Sequence, residues 1–158
     1  MADDTGDTFA PLLAELERMT SALDAGQRRR LAMRMGRELR RSQSKRIAAQ
    51  QNPDGSPFQP RKPRERHGGG AIRRGAMFRK LRQQRWFRIR AMVDGLELGF
   101  TPAAARIARV HQLGLVDRVS KEPGSPEVRY PVRQLIGFTE DEIRMLVQMA
   151  AEALDGVG

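Results

Sequence analysis

The sequence predicts an α+β fold, with a small antiparallel sheet packed by helices from the beginning, middle and end of the chain. Apolar residues recur at helical spacing in several stretches, two strand-like runs flank Asp94-Gly95, and a basic loop rich in proline and glycine divides the chain. Because 158 residues that are 39% hydrophobic can form one modest core, we expect a single domain over 1–158.

Two helices are predicted for residues 8–51. The first covers about 8–24, and Asp24-Ala-Gly-Gln27 resembles a capping box that separates it from the second, about 27–51. The second helix carries one narrow apolar stripe, and its other faces are dense with arginine. The stripe residues are Leu31, Met35, Leu39 and Ile47. The basic residues are Arg28, Arg29, Arg30, Arg34, Arg37, Arg40, Arg41, Lys45 and Arg46.

Residues 52–71 are predicted to form an extended basic loop or arm. The segment is rich in proline and glycine and has almost no apolar side chains. Such a segment cannot bury enough surface to offset the entropy of ordering it, so we expect it to be mobile when free.

The rest of the core is predicted for residues 76–154, beginning with one or two helical turns over 76–81. A hairpin of about 86–100 follows, because Asp94-Gly95 is typical of a two-residue type I′ turn, whose central residues need positive φ. Leu96, Leu98 and Phe100 then lie on one face of the return strand.

Two further helices complete the predicted core. Thr101-Pro102 has the pattern of an N-cap followed by proline at the first helical position, and Gly114 is a plausible C-terminal cap. Residues 115–138 are irregular or strand-like. Thr139 and Glu142 have the spacing of a capping box at the start of the last helix. The apolar face expected on that helix comprises Ile143, Leu146, Val147, Ala150 and Leu154.

Charge is distributed in three blocks. Residues 1–27 sum to −5, residues 28–90 sum to +18 with 21 bases against three acids, and residues 91–158 sum to −3, within a formal net charge of +10. A block of one sign usually faces a polyanion, an acidic protein surface or solvent. Nonspecific, salt-sensitive binding of nucleic acid is one interpretation, with contributions spread over Arg34, Arg37, Arg40 and Arg41.

Catalytic, cofactor and metal sites are not predicted. The chain has no cysteine and two histidines, and its histidines lack the spacing of a zinc site. His111 lies beside Val110 and Leu113, where we expect a packed, hydrogen-bonded side chain. The acids Glu140, Asp141 and Glu142 are explained by the dipole of the last helix. No apolar run reaches the length of a membrane span.

Four segments of the chain form a recognisable set. They are RIAAQQNPDGSPF at 46–58, GAMFRKL at 75–81, ARIARVHQLG at 105–114 and YPVRQLIGF at 130–138. Together they resemble the phage virion-morphogenesis, or tail-completion, family of contractile-tailed phages and their prophages, over about residues 10–154. The last two segments also resemble neck and tail-completion proteins of long non-contractile tails. This chain has Gln134 where many relatives carry proline, which we expect to relax the local turn.

The resemblance implies a structural virion protein that acts at the head-proximal end of the tail and is assembled in the host cytoplasm. It implies a ring, a hexamer, that finishes the tail and permits head–tail joining. Its partners would be tail-tube, tail-terminator or head-connector proteins, with nonspecific contact to the genome in the lumen and no membrane or cofactor.

The basic block supplies the residues expected at these contacts. For Arg133 the interpretation favours a structural role over a contact between subunits, because Tyr130 and Pro131 beside it are typical packing residues. Expected subunit or ring contacts are Arg34, Arg37, Arg41, Arg61, Lys62, Arg64, Arg66 and Arg133. Expected DNA-facing residues are Arg73, Arg74, Arg88 and Arg90.

Overall fold

The computed structural model describes residues 10–61, 75–92 and 95–156, and these form four helices and two separate two-stranded sheets. The predicted α+β class is confirmed. The described chain divides into two compact units that interleave along the sequence: 1–40, 89–98 and 138–158 form one, and 41–88 and 99–137 form the other. The helices are α1 (Ala10–Thr20), α2 (Ala25–Ala48), α3 (Pro102–Leu113) and α4 (Glu140–Asp155). The strands are β1 (Phe87–Met92), β2 (Gly95–Phe100), β3 (Val116–Arg118) and β4 (Glu127–Arg129).

The first unit has a core of leucine and methionine side chains from α2 and α4, bordered by α1. The predicted stripe residues Leu31, Met35 and Leu39 are all buried in it. Gly36 lies where the β1–β2 hairpin meets α2, and a β-carbon there would be 2.8 Å from Ile89 and Leu96 side-chain atoms. The absence of a side chain at position 36 therefore lets the hairpin approach the helix closely. From α4 the core receives Leu146, Met149 and Ala150.

The predicted capping boxes are confirmed at the starts of both α2 and α4. The backbone N–H of Gln27 donates to Asp24 Oδ1 at 2.7 Å, and the N–H of Asp24 donates to Gln27 Oε1 at 2.8 Å. Thr139 and Glu142 make the same reciprocal pair, at 3.1 and 3.0 Å. At α3, Thr101 occupies the N-cap position, but its hydroxyl makes no capping hydrogen bond.

The second unit has its own core, to which the segment after α2 contributes. Ile47, Phe58 and Leu135 are buried in it, and Phe87 stacks on Phe100 with ring centroids 4.9 Å apart. Its α3 ends where Gly114 adopts φ 65° and donates its N–H to the carbonyl of Val110. The remaining buried side chains of this core are Met77, Leu81, Ala104 and Ala108.

Local structure differs from expectation at residues 77–82, which form turns where helical turns are predicted. The region 115–138, expected to be irregular or strand-like, contains the antiparallel β3–β4 pair. At the start of the predicted loop, Gln51 and Pro57 form a bridge, and Phe58 is 4% exposed, so this part of the loop packs on the fold. The rest of the predicted arm and Asp94 lie outside the described residues.

Candidate functional site

The predicted contact residues Arg34, Arg37 and Arg41 are exposed on α2. At 100° per residue, they and Arg30 lie within about 60° of one another, in a row about 16 Å long. We call Arg30, Arg34, Arg37 and Arg41 the arginine row. Within the described ranges 10–61, 75–92 and 95–156, no salt bridge joins Arg30, Arg34 or Arg37 to an acid. Arg30, Arg34 and Arg37 therefore present a band of positive charge to solvent.

Arg133 has the opposite environment, because only 3% of it is exposed. Its Nε donates to the carbonyl of Gln59 at 2.7 Å, and one terminal nitrogen donates to the carbonyl of Pro60 at 3.2 Å. Its other terminal nitrogen lies 3.0 Å from Nδ1 of His111. Burial, and then the charge of Arg61, lower the pKa of Arg133. This arginine fastens the start of the predicted arm to the second unit.

His111 accepts the hydrogen bond from Arg133. A guanidinium can only donate, so Nδ1 of His111 carries no proton. Burial lowers the pKa of His111 to about 4, and the charges of Arg133 and Arg61 act in the same direction. The ring also makes edge contacts with Phe78 and Tyr130, at centroid distances of 4.8 and 4.9 Å. The expected packed, hydrogen-bonded histidine is confirmed.

The chain on the far side of the predicted arm is fixed to the same unit. Gln50 accepts a hydrogen bond from the N–H of Met77 at 2.7 Å and donates one to the carbonyl of Met77 at 3.0 Å. Phe78, at φ 63°, meets Phe58 edge-on at 5.8 Å. We call this set of contacts, together with those of Arg133 and His111, the arm anchor. It holds both flanks of residues 62–74 on one unit.

The remaining predicted contact residues are divided between the described and undescribed parts of the chain. Arg61 is exposed, and so are the predicted DNA-facing Arg88 and Arg90 on β1. Arg90 lies 3.8 Å from Glu97 across the hairpin, in a pair that is exposed on both sides and therefore weak. The predicted residues that lie outside the described ranges are Lys62, Arg64, Arg66, Arg73 and Arg74.

Sequence reasoning missed the structural role of Arg46 and Gln43. Arg46 is 8% exposed and donates to the carbonyls of Gln51, Gln134 and Leu135 at 3.1, 2.8 and 3.1 Å. Gln43 is 1% exposed and donates to the carbonyl of Gly137 at 3.1 Å. The spacing of four residues along the apolar stripe of α2 points to Gln43, and at 100° per residue Arg46, seven positions after Leu39, lies on the same face.

Position 134 carries glutamine, where the family resemblance leads us to expect proline. The backbone N–H of Gln134 donates to Oδ1 of Asn52 at 2.9 Å. Proline has no N–H and could not make this bond. Gln134 therefore ties the segment before α4 to the turn after α2.

Among residues 10–61, 75–92 and 95–156, no three histidine or acidic side chains come together in an arrangement that could hold a metal ion. None of the four helices combines the length and apolar character needed to cross a membrane.

Comparison with known proteins gives a consistent family match. The profile of the phage virion morphogenesis family matches residues 7–155. The chain is 34% identical over 139 residues to tail completion protein S of Escherichia phage P2, an alignment that covers 87% of this chain and 91% of that protein. No solved structure matches the chain.

Proposed function

The chain belongs to the phage virion morphogenesis family, and we propose that it is a structural protein that completes the phage tail. The observation that carries this proposal is the 34% identity to a tail completion protein, which extends over nearly the whole of both chains. The shared region includes α2 with the arginine row and the segments that form the arm anchor. No catalytic step is needed for this role.

We further propose that the protein acts as a ring at the head-proximal end of the tail, where it closes the tail and permits the head to join. A ring subunit needs two different complementary surfaces, because a head-to-tail contact closes only when the rotation between copies fits. We expect a hexamer, in contact with tail-tube, tail-terminator or head-connector proteins. Localisation in the virion, after assembly in the host cytoplasm, follows from the same role.

The arm anchor supports a docking role for residues 62–74. Its contacts fix residues 59–61 and 75–78, on either side of this basic segment, on one unit. Lys62, Arg64 and Arg66 would then meet an acidic surface on an adjacent ring.

Nonspecific binding of nucleic acid is the second candidate function. The exposed Arg34, Arg37, Arg88 and Arg90 favour it, because phosphate neutralisation requires accessible cations. It predicts affinity for duplex DNA that falls steeply with salt and is shared among these arginines. A tail-completion protein that faces the genome would bind DNA only weakly at physiological salt.

The test is to remove this chain from the phage that encodes it and examine the particles by electron microscopy. Tail completion predicts full heads and separate tails that fail to join, with joining restored when the purified protein is supplied. Cryo-EM of the complete virion should place the protein at the head-proximal end of the tail. Normal joined particles in its absence would contradict the proposal.

A further inference from the structure

Two helices of the first unit present opposite charges to solvent. On α2, Arg30, Arg34 and Arg37 are exposed on one side, while Leu31 and Met35 point into the core. On α4, the exposed acids lie within an arc of about 120° on the side away from the buried Leu146, Met149 and Ala150. These exposed acids, the acidic face of α4, are Glu140, Asp141, Glu152 and Asp155.

The acids at the C-terminal end of α4 interact unfavourably with the helix dipole. Glu152 and Asp155 lie in the last turn, where the helix end is already negative, and no basic residue accompanies them. At the other end, Asp141 and Glu140 approach Arg144, so only the C-terminal half of the face lacks a nearby cation on α4. Glu152 accepts a hydrogen bond from Gln148 at 2.9 Å, which offsets part of this cost, but the helix dipole gives no reason for an acid at Asp155.

The arginine row is also unfavourable for its own helix. Arg30, Arg34 and Arg37 are spaced four and three residues apart, which brings like charges together on the helix surface. Among the described residues, none of the three is neutralised by a salt bridge. Each surface therefore destabilises its own helix through repulsion between like charges. Contact with the surface of opposite charge would relieve that repulsion.

We propose that the arginine row of one copy binds the acidic face of α4 on a second copy, as the contact that builds the oligomer. The inference rests on the proposed tail-completion function and specifies which surfaces of neighbouring copies are in contact. The contact is head-to-tail, since each copy offers a different helix to each neighbour, and repetition of such a contact closes a ring when the rotation between copies fits. Both helices are about 20 Å or longer, so several charge pairs form at once.

Helix α1 is a less suitable acidic partner. Its Glu15 is already paired with Arg18 at 2.6 Å, and that arginine carries a positive charge on the same helix. In the described part of α1, Glu17 is then the acid that is not paired with a basic residue of the same helix. The acidic face of α4 offers more negative charge on a longer helix.

The experiment reverses the charge of each surface separately in the full-length protein. One variant combines Arg34→Glu with Arg37→Glu, and the other combines Glu152→Lys with Asp155→Lys. Glutamate is as good a helix former as arginine, and lysine favours a helix C-terminus, so both variants should keep the wild-type circular dichroism, and neither should unfold at a lower midpoint than wild type. Each variant alone should self-associate at least tenfold more weakly than wild type in sedimentation velocity.

The mixture of the two variants gives the decisive result. An alternating assembly pairs reversed α2 with reversed α4 and native α2 with native α4, so a 1:1 mixture should restore association with equal amounts of both chains. Wild-type association should weaken as sodium chloride rises from 50 to 500 mM, on the scale of charge screening. As controls of equal charge change, Arg109→Glu with Lys121→Glu and Glu15→Lys with Glu17→Lys should associate as wild type does.

The inference is overturned if the 1:1 mixture fails to recover, if the α1 variant rescues the arginine variant in place of the α4 variant, or if wild type stays monomeric at every concentration. Loss of duplex DNA binding in the arginine variant without loss of self-association would assign the row to nucleic acid. None of these results would affect head–tail joining in the deletion experiment, so the proposed function and the proposed contact fail separately.

Discussion

Arg34 and Arg46 belong to the same helix and the same arginine-rich stretch, yet their environments are opposite. Arg34 is exposed and has no salt bridge within the described ranges, whereas Arg46 is 8% exposed and donates to three backbone carbonyls between 2.8 and 3.1 Å. Arg133 resembles Arg46 in this respect. The basic block thus contains two classes of arginine, one that holds the fold together and one that remains available to a partner.

The largest expected effect comes from replacing the buried member of the pair. Arg46→Met leaves the carbonyls of Gln51, Gln134 and Leu135 without their donor, and a charged donor to buried carbonyls is worth more than a neutral one. We expect unfolding in urea to show a loss of about 3 kcal/mol. Arg34→Met is the matched control, and its unfolding midpoint should equal that of wild type. Equal losses of stability in Arg46→Met and Arg34→Met would contradict the division into arginines that hold the fold together and arginines available to a partner.

Replacement of Arg133 should have the next largest effect. Arg133→Met removes the donors to Gln59, Pro60 and His111, and we expect a loss of about 2 kcal/mol. Because these bonds fasten residues 52–61, amide hydrogen exchange should accelerate there more than in α4. A variant with native stability and slow exchange that nevertheless fails to assemble would instead make Arg133 a contact between subunits.

The arm anchor should also give the protein a specific pH dependence. The pKa of His111 is about 4 in the folded state and near 6.5 in the unfolded chain, so the unfolded state binds the extra proton first. Stability is therefore complete above pH 6.5 and falls as pH decreases toward 4, by on the order of 1 kcal/mol after allowance for partial exposure. His111→Gln should flatten the unfolding free energy over this range. If the unfolding free energy of His111→Gln changed with pH as it does in wild type, another group would bind the proton.

The smallest expected effect concerns the tie between Gln134 and Asn52. Gln134→Pro removes the N–H that Asn52 accepts, and we expect a loss of about 0.5 to 1 kcal/mol. Asn52→Ala should then cost less in the proline background than in the wild-type chain, as a double-mutant cycle measures. Additive losses would show that the two residues do not interact.

Much of the fold was predictable from local signals. The stripe of Leu31, Met35 and Leu39 and the two capping boxes were correctly assigned, because helical spacing and cap chemistry depend on neighbours in sequence. Helical spacing places Arg46 on the face of this stripe, but its partners were not predictable, since the carbonyls that accept from it lie up to 89 residues away. The burial of Phe58 was missed for the same reason, because a single aromatic residue in a polar loop is buried through contacts with residues distant in sequence.

The candidate site divides in the same way. Composition correctly indicated a basic block, and the exposed Arg34 and Arg37 agree with a contact surface as far as burial is concerned. Their role in binding stays a prediction. The arm anchor could not be foreseen, because it joins residues near positions 50, 60, 77, 111 and 133 through tertiary contacts.

The central claim is that the exposed arginines of α2 serve assembly while the buried ones serve the fold. The most direct measurement is the yield of joined, infectious particles when the phage lacking this chain is supplied with Arg34→Glu and Arg37→Glu in one protein. We predict at least a tenfold drop in titre with an unchanged unfolding midpoint. A titre equal to that of the wild-type protein would contradict the claim.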